Sequence, residues 1–285
     1  MVEKTKVAYQ GVSGAYSHLA CLNHFGSNTM CIENETFEDA MELVENNDAD
    51  FALIPIENKT AGRVDEFYGL IPNMRLQIVG EHYQKIEHCL LSVKGSSIQS
   101  IVSAYSHPQG LAQCRKGLKA LGIKAVAQFD TAGSAKEIAR LEDKSLSAIA
   151  SSLAAETYGL KILQHDIQDQ KDNFTRFIVL SKQKYLLKEE NRAYVTSIIF
   201  KVKNVSSALY KALGGFAHNN VNILKIESYI PLGQLGESHF HIDVDGSMES
   251  EAVKEGVNEL KKYVKKLKIL GTYEKNPLRV REHDC

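Results

Sequence analysis

No stretch of this chain approaches the roughly 18 consecutive apolar residues of a membrane-spanning helix. The first residues, Met1-Val2-Glu3-Lys4-Thr5-Lys6, contain no apolar core of the kind a secretory signal needs, so a cytoplasmic location is expected. Cysteine is sparse: Cys21, Cys31, Cys89, Cys114 and Cys285 are odd in number, scattered and free of any C-x-x-C spacing. That pattern excludes a disulfide framework and a zinc site, and suits reduced thiols. Dense runs of Lys and Arg are missing and the net charge is −1, so nucleic acid is not an expected partner. What remains is a chain of 285 residues, 44% hydrophobic and 24% charged, with the composition of a soluble globular protein and the length of two ordinary domains.

Through about residue 180 short apolar runs alternate with segments of helical spacing. Lys6 to Gln10, Met30 to Glu33, Phe51 to Pro55, Leu76 to Gly80, His88 to Val93, Ile101 to Ala104, Lys124 to Gln128, Ser147 to Ala150 and Lys161 to Leu163 read as strands. Strand–helix alternation of this kind predicts parallel α/β sheets with both faces covered. Polar strand-end segments recur in two blocks, before and after about residue 80, which predicts two lobes, the second spanning about 81–160. In such sheets ligands gather at the carboxyl ends of strands. Glu57, Asn58 and Thr60, after Pro55, are therefore candidates. The loop Gly11 to His18 either presents backbone N–H groups to an anion or is an ordinary turn into a helix. Ser106 is placed to cap a helix that carries Pro108 in its first turn and Gln109 beside it.

Asn173-Phe174-Thr175-Arg176-Phe177 turns from a polar loop into a strand. Period-2 alternation sets Asn173, Thr175 and Phe177 on one face and Arg176 on the other. Either a hydroxyl flanked by an amide and a ring faces an organic ligand, or these polar groups only satisfy the backbone.

After a charged linker, 182–193, the pattern changes to strand, helix, strand, strand, helix, strand over 194–273. That order is ferredoxin-like. Leu224, Ile226 and Ile230 are predicted to face inward in the second strand, and 274–285 reads as a loose tail. His239 and His241 share one strand face, and a solvated strand is the expected setting, since no third metal ligand lies in spacing.

In order along the chain, Gly11-Val12-Ser13-Gly14-Ala15-Tyr16-Ser17, Pro55-Ile56-Glu57-Asn58 with Gly62, Ser106-His107-Pro108-Gln109, Asp130-Thr131-Ala132, Ala154 to Leu160 and Asn173 to Phe177 resemble the segments of prephenate dehydratases. The resemblance covers residues 1–181 and implies a two-lobed α/β catalytic domain of periplasmic-binding-protein type. Residues 194–273 resemble the ACT module that follows it in many members. The implied reaction is the decarboxylating dehydration of prephenate to phenylpyruvate in phenylalanine biosynthesis, without metal or redox cofactor. Arogenate is the alternative substrate, and a non-catalytic amino-acid sensor the rival class. By resemblance Thr175 is catalytic, and Asn58, Glu57, Thr60, Ser106, Gln109, Asn173, Arg176 and Phe177 surround the substrate. Ala208, Leu209, Asn222, Ile223, Glu227 and Ser228 would hold phenylalanine as an inhibitor between paired ACT modules of a homodimer or homotetramer. Three places depart from the family pattern: Lys59 follows Ile-Glu-Asn, Ser207 replaces a glycine, and the pair Tyr229-Ile230 replaces Arg-Pro.

Overall fold

The structure, a computed structural model, describes residues 4–187, 192–231 and 238–279. In chain order it comprises β1 (Lys6–Gln10), α1 (Tyr16–Phe25), β2 (Met30–Asn34), α2 (Phe37–Glu45), β3 (Phe51–Asn58), β4 (Gly62–Arg63), α3 (Asp65–Leu70), β5 (Gln77–Lys85), β6 (Cys89–Ser92), β7 (Ser103–Ser106), α4 (Pro108–Gln113), α5 (Arg115–Ala120) and β8 (Lys124–Ala127). There follow α6 (Thr131–Leu141), β9 (Leu146–Ala150), α7 (Ser152–Tyr158), β10 (Lys161–Gln164), β11 (Phe174–Ser181), β12 (Tyr194–Val202), α8 (Ala208–His218), β13 (Ile223–Tyr229), β14 (His239–Asp245), α9 (Glu251–Tyr263) and β15 (Val264–Glu274).

The first sheet has the order β2-β1-β3-β11-β5, with β4 hairpinned onto β3. The second has the order β10-β6-β9-β7-β8 and the third β13-β14-β12-β15. The first two sheets and their helices form the α/β part, and a βαββαβ segment follows. Parallel pairing holds for β1 with β2 and for β7 with β8 and β9. The sheets are nevertheless mixed, contrary to the all-parallel expectation, because β6 runs antiparallel to both β9 and β10.

The described chain divides into two compact units. One comprises the chain up to Leu43, Leu53–Arg63 and Tyr83–Phe177; the other comprises Val44–Ala52, Val64–His82 and the chain from Ile178 on. In the first unit, Leu90, Ala104 and Ile149 of the second sheet pack on Leu111, Cys114 and Leu118. Local caps agree with the sequence at two helices: Asp130 accepts from Gly133 N at 2.5 Å and Ser151 from Ala154 N at 3.1 Å. They disagree at α4. Its N-cap is His107, whose Nδ1 accepts from Gln109 N at 3.2 Å. Ser106 is still the last residue of β7, fully buried, and its Oγ donates to Ile149 O at 2.7 Å. The helix expected to run to Leu121 is broken at Cys114 (φ −111°, ψ 15°) into α4 and α5.

In the second unit, alternation along β12 and β14 puts Ile198, Phe200, Phe240, Ile242 and Val244 against α8 and α9. Each such side chain contributes about 1.5–3 kcal/mol when buried. The two helices cross closely where Gly256 meets Phe216: a Cβ there would lie 2.6 Å from the ring. The expectation for β13 does not hold. Ile226 pairs with core-facing Ile242 yet is 48% exposed, and Ile230 is 58% exposed, because β13 is the edge strand and the helices do not reach over it. Tyr229 is buried on the opposite face.

That opposite face also corrects the reading of the histidines. His239 and His241 are buried, not solvated. His241 Nε2 lies 2.7 Å from Ser197 Oγ and its Nδ1 lies 3.3 Å from Tyr68 OH. Arg279 donates to Glu81 at 2.9 Å and to Asp243 at 2.6 Å. The stretch expected to be a loose tail is therefore anchored at least to Arg279. Residues 280–285 lie outside the described residues. Among the described residues no grouping of His, Cys, Asp and Glu could hold a metal ion, and no helix is long and apolar enough to cross a membrane.

Candidate active site

β3 ends at Asn58, and the neighbouring β11 begins at Phe174, so two strand ends meet in the first unit. Lys59 N donates to Phe174 O at 2.9 Å and fixes that junction. β3 continues past Pro55, where the predicted strand ends, to Asn58, and the chain turns back at 59–61 into β4.

The turn determines how the Asn58 amide points. Its Oδ1 accepts from Thr60 N at 3.0 Å, Ala61 N at 2.9 Å and Thr60 Oγ1 at 2.8 Å. Two backbone N–H donors leave no choice about which amide atom is oxygen. Nδ2 therefore faces the other way, 3.0 Å from Asn173 Oδ1, 2.9 Å from Thr175 Oγ1 and 3.2 Å from Phe174 O. Thr175 oxygen thus accepts a hydrogen bond, and its own proton remains to be donated elsewhere. Asn58 and Asn173 are buried and Thr175 is half-buried, so the hydroxyl stands at the rim of a polar network closed beneath it.

The network continues away from Thr175. Gln113 Nε2 donates to Thr60 Oγ1 at 2.7 Å, and its Oε1 lies 2.8 Å from His88 Nε2. His88 Nδ1 is 2.9 Å from Tyr16 OH, which also donates to Glu87 O at 2.8 Å. Burial pushes the His88 pKa down, partly offset by its bond to Gln113, and pushes the Tyr16 hydroxyl well up. Residues from α1, the position just before β6, α4 and both strand ends are so joined to one hydroxyl. Gln113, His88 and Tyr16 escape sequence reasoning. The one available signal is that Gln113 lies four residues after Gln109, on the same helix face.

The remaining predicted residues fall into separate places. Arg176 is 2% exposed and donates to Glu57 at 2.9 Å, on the opposite face from Thr175 as alternation requires. Phe177 is 1% exposed and belongs to the core. Gln109 is exposed in the first turn of α4, and Ser106 is occupied with Ile149. Lys59 pairs with Asp172 at 2.7 Å in an exposed position, where such pairs contribute little.

In the Gly11 to His18 loop, Ser13 N donates to Glu33 Oε1 at 2.7 Å and Gly14 N to His18 Nδ1 at 3.1 Å, so these two N–H groups serve protein acceptors. Gly14 (φ 86°) packs so tightly on α7 that a Cβ would lie 2.8 Å from Ala154 Cα. Ser151 Oγ and Tyr158 OH donate to Gly14 O and Ser13 O at 2.6 and 2.7 Å. The loop is a structural joint for the network.

In the second unit a cavity of about 410 Å³ is lined by Ser207, Ala208, Leu209 and Tyr210 together with Lys201 and Phe240. Asn222 precedes β13, and Ile223, Glu227 and Ser228 lie along it, outside that lining.

A sequence model of the prephenate dehydratase family matches residues 7–185. A bifunctional N-acyl-homoserine lactone acylase/prephenate dehydratase of Komagataeibacter europaeus is 38% identical over 273 residues, 96% of this chain and 97% of its own. Arogenate dehydratase 2 of Petunia hybrida is 38% identical over 285 residues, 95% of this chain and 72% of its own. The crystal structure of prephenate dehydratase in complex with L-Phe from Arthrobacter aurescens matches with a TM-score of 0.85 and 28% identity, covering 95% of this chain and 90% of that one.

Proposed function

Because the chain belongs to the prephenate dehydratase family, a family of hydro-lyases, we propose that conversion of prephenate to phenylpyruvate, water and CO2 runs through the Thr175 hydroxyl. The observation that carries this reading is the Asn58 amide donating to Thr175 Oγ1 at 2.9 Å, which leaves the threonine proton pointing out of the network. Departure of the ring hydroxyl builds negative charge on its oxygen, and loss of CO2 makes the ring aromatic. A threonine hydroxyl is too weak an acid to protonate outright. As a positioned donor it stabilises the leaving oxygen most in the transition state. Asn58, Asn173 and Thr60 orient it and contact substrate. Glu57 holds Arg176, and Phe177 and Ser106 support the site through packing.

Gln113 acts through Thr60. Gln113→Leu is expected to lower kcat about tenfold, near 1.4 kcal/mol, with KM little changed. Steady-state kinetics over a substrate series check it, and an unchanged kcat would detach Gln113 from the reaction.

Residues 194–273 are the ACT module in this reading, and L-phenylalanine is its effector. Ser207 stands at φ 62°, a left-handed conformation that suits the family glycine better, and it borders the cavity beside Ala208 and Leu209. Asn222, Ile223, Glu227 and Ser228 complete the effector site across a second copy, which covers the exposed β13 edge in a cytoplasmic homo-oligomer.

Purified protein supplied in turn with prephenate and arogenate, with phenylalanine present or omitted, tests the assignment. Phenylpyruvate from prephenate is expected, and slower in the presence of phenylalanine. Turnover of arogenate alone would move the chain to the substrate of the Petunia relative. No turnover of either would leave a sensor.

A further inference from the structure

β1 and β2 are parallel neighbours in which Val7 faces Cys31 and Tyr9 faces Glu33. Residues paired in this way share a sheet face. Tyr9 stacks on His18 of α1 with ring centroids 5.3 Å apart, so this is the face α1 covers. A helix linking two parallel strands runs back along the first of them. One helical turn beyond His18 is Cys21, which therefore lies over Val7 and next to Cys31.

Side-chain contacts agree with the register. Cys21 and His18 both lie near enough to Cys31 to perturb its thiol. His18 Nδ1 already accepts the Gly14 N–H at 3.1 Å, so a neutral ring carries its proton on Nε2, the nitrogen free to meet Cys31. The contact with Cys21, then His18, pulls the Cys31 thiol down to about 5 against the opposing effect of burial. The same contact and burial push Cys21 far up. Cys31 is half-buried and Cys21 is closed off. Cys89 and Cys114 differ: burial pushes them up to about 11 and about 12.

We propose that Cys21 and Cys31 are a site of reversible oxidative modification, a dithiol that a small hydroperoxide converts to an intramolecular disulfide. In the first step the Cys31 thiolate attacks one peroxide oxygen. The O–O bond breaks, Cys31 becomes a sulfenic acid, and hydroxide leaves and takes up a proton. In the second step Cys21 sulfur attacks Cys31 sulfur, the S–O bond breaks, and the hydroxyl leaves as water with the Cys21 proton. Two thiols are oxidised and one peroxide is reduced to two waters. A dithiol reductant reverses the bond by exchange. The disulfide would pin α1 to β2 just below the Gly14 joint.

The test uses the full chain as Cys285→Ser, so that only the four described cysteines remain. Protein is treated with hydrogen peroxide at neutral pH, alkylated, and mapped by mass spectrometry. Trypsin leaves both cysteines on the fragment Val7 to Lys59, so chymotrypsin is used to cut after Phe25 between them. The expected product is a Cys21–Cys31 linked pair that dithiothreitol releases, with Cys89 and Cys114 still alkylated. Cys31→Ser is expected to slow thiol loss about tenfold. Cys21→Ser is expected to leave a Cys31 sulfenic acid that dimedone traps and to form no disulfide. The proposal is overturned if Cys21 and Cys31 stay alkylated while Cys89 or Cys114 reacts, or if the link forms only between two chains. Thiol mapping does not involve substrate, so its outcome is independent of the catalytic reading.

Discussion

Thr175→Val is expected to lower kcat with prephenate by about 10²–10³, the typical loss when one preorganised donor to a developing oxyanion is removed. Valine keeps the shape and β-branching that suit a strand. The hydroxyl is half-buried, and its loss leaves Asn58 Nδ2 with Asn173 Oδ1 at 3.0 Å and Phe174 O at 3.2 Å. No buried donor is orphaned, so the stability change stays within about 1 kcal/mol. Circular dichroism and thermal melting check that the fold persists, and KM is expected to move less than kcat. A variant that turns over at the wild-type rate removes Thr175 from the mechanism.

Arg279→Met is expected to destabilise the protein by about 3–5 kcal/mol, because it removes a buried cation that two buried carboxylates share. Arg279 Nε meets Glu81 at 2.9 Å and Nη2 meets Asp243 at 2.6 Å, and both carboxylate side chains are 0% exposed. Asn276 N also donates to Glu81 at 3.0 Å, so the chain beyond β15 is fastened there. Methionine matches the apolar stem but supplies no charge to two carboxylates that cannot reach water. Urea unfolding followed by circular dichroism measures the effect. Partial recovery on adding Asp243→Asn would identify uncompensated charge as the cause. A loss below about 1 kcal/mol would mean that water reaches the carboxylates, as it does for exposed pairs.

A Ser–His–Asp grouping lies beside this network. Ser197 and Asp243 both approach His241 Nε2, at 2.7 and 3.4 Å. A nucleophile relay needs its two partners on opposite ring nitrogens. All three residues are fully buried. The arrangement ties polar groups together on the face of the third sheet opposite α8 and α9.

Features encoded within a few residues were legible in the sequence. The βαββαβ order, the caps at Asp130 and Ser151, and the opposite facing of Thr175 and Arg176 all follow from period and capping chemistry. Features set by distant partners were not. Ser106 has an N-cap's composition, but β7 carries its hydroxyl to Ile149 O and the cap passes to His107. His239 and His241 alternate as solvated strand residues do, and nothing local announces that Tyr68 meets His241 and Tyr229 meets His239. Gln109 sits within the short motif, whereas Gln113, one turn later, makes the contact to Thr60, and only the folded chain distinguishes them. Phe177 shares the Thr175 strand face by alternation, yet it lies one step deeper and packs in the core.

The most direct test compares kcat of Thr175→Ser with that of Thr175→Val at saturating prephenate. Serine retains the hydroxyl that Asn58 orients, and valine retains only the shape. The account predicts that the serine variant turns over about 100-fold faster than the valine variant. Equal rates would mean that the hydroxyl plays no part, and that the Asn58–Thr175 contact is structural.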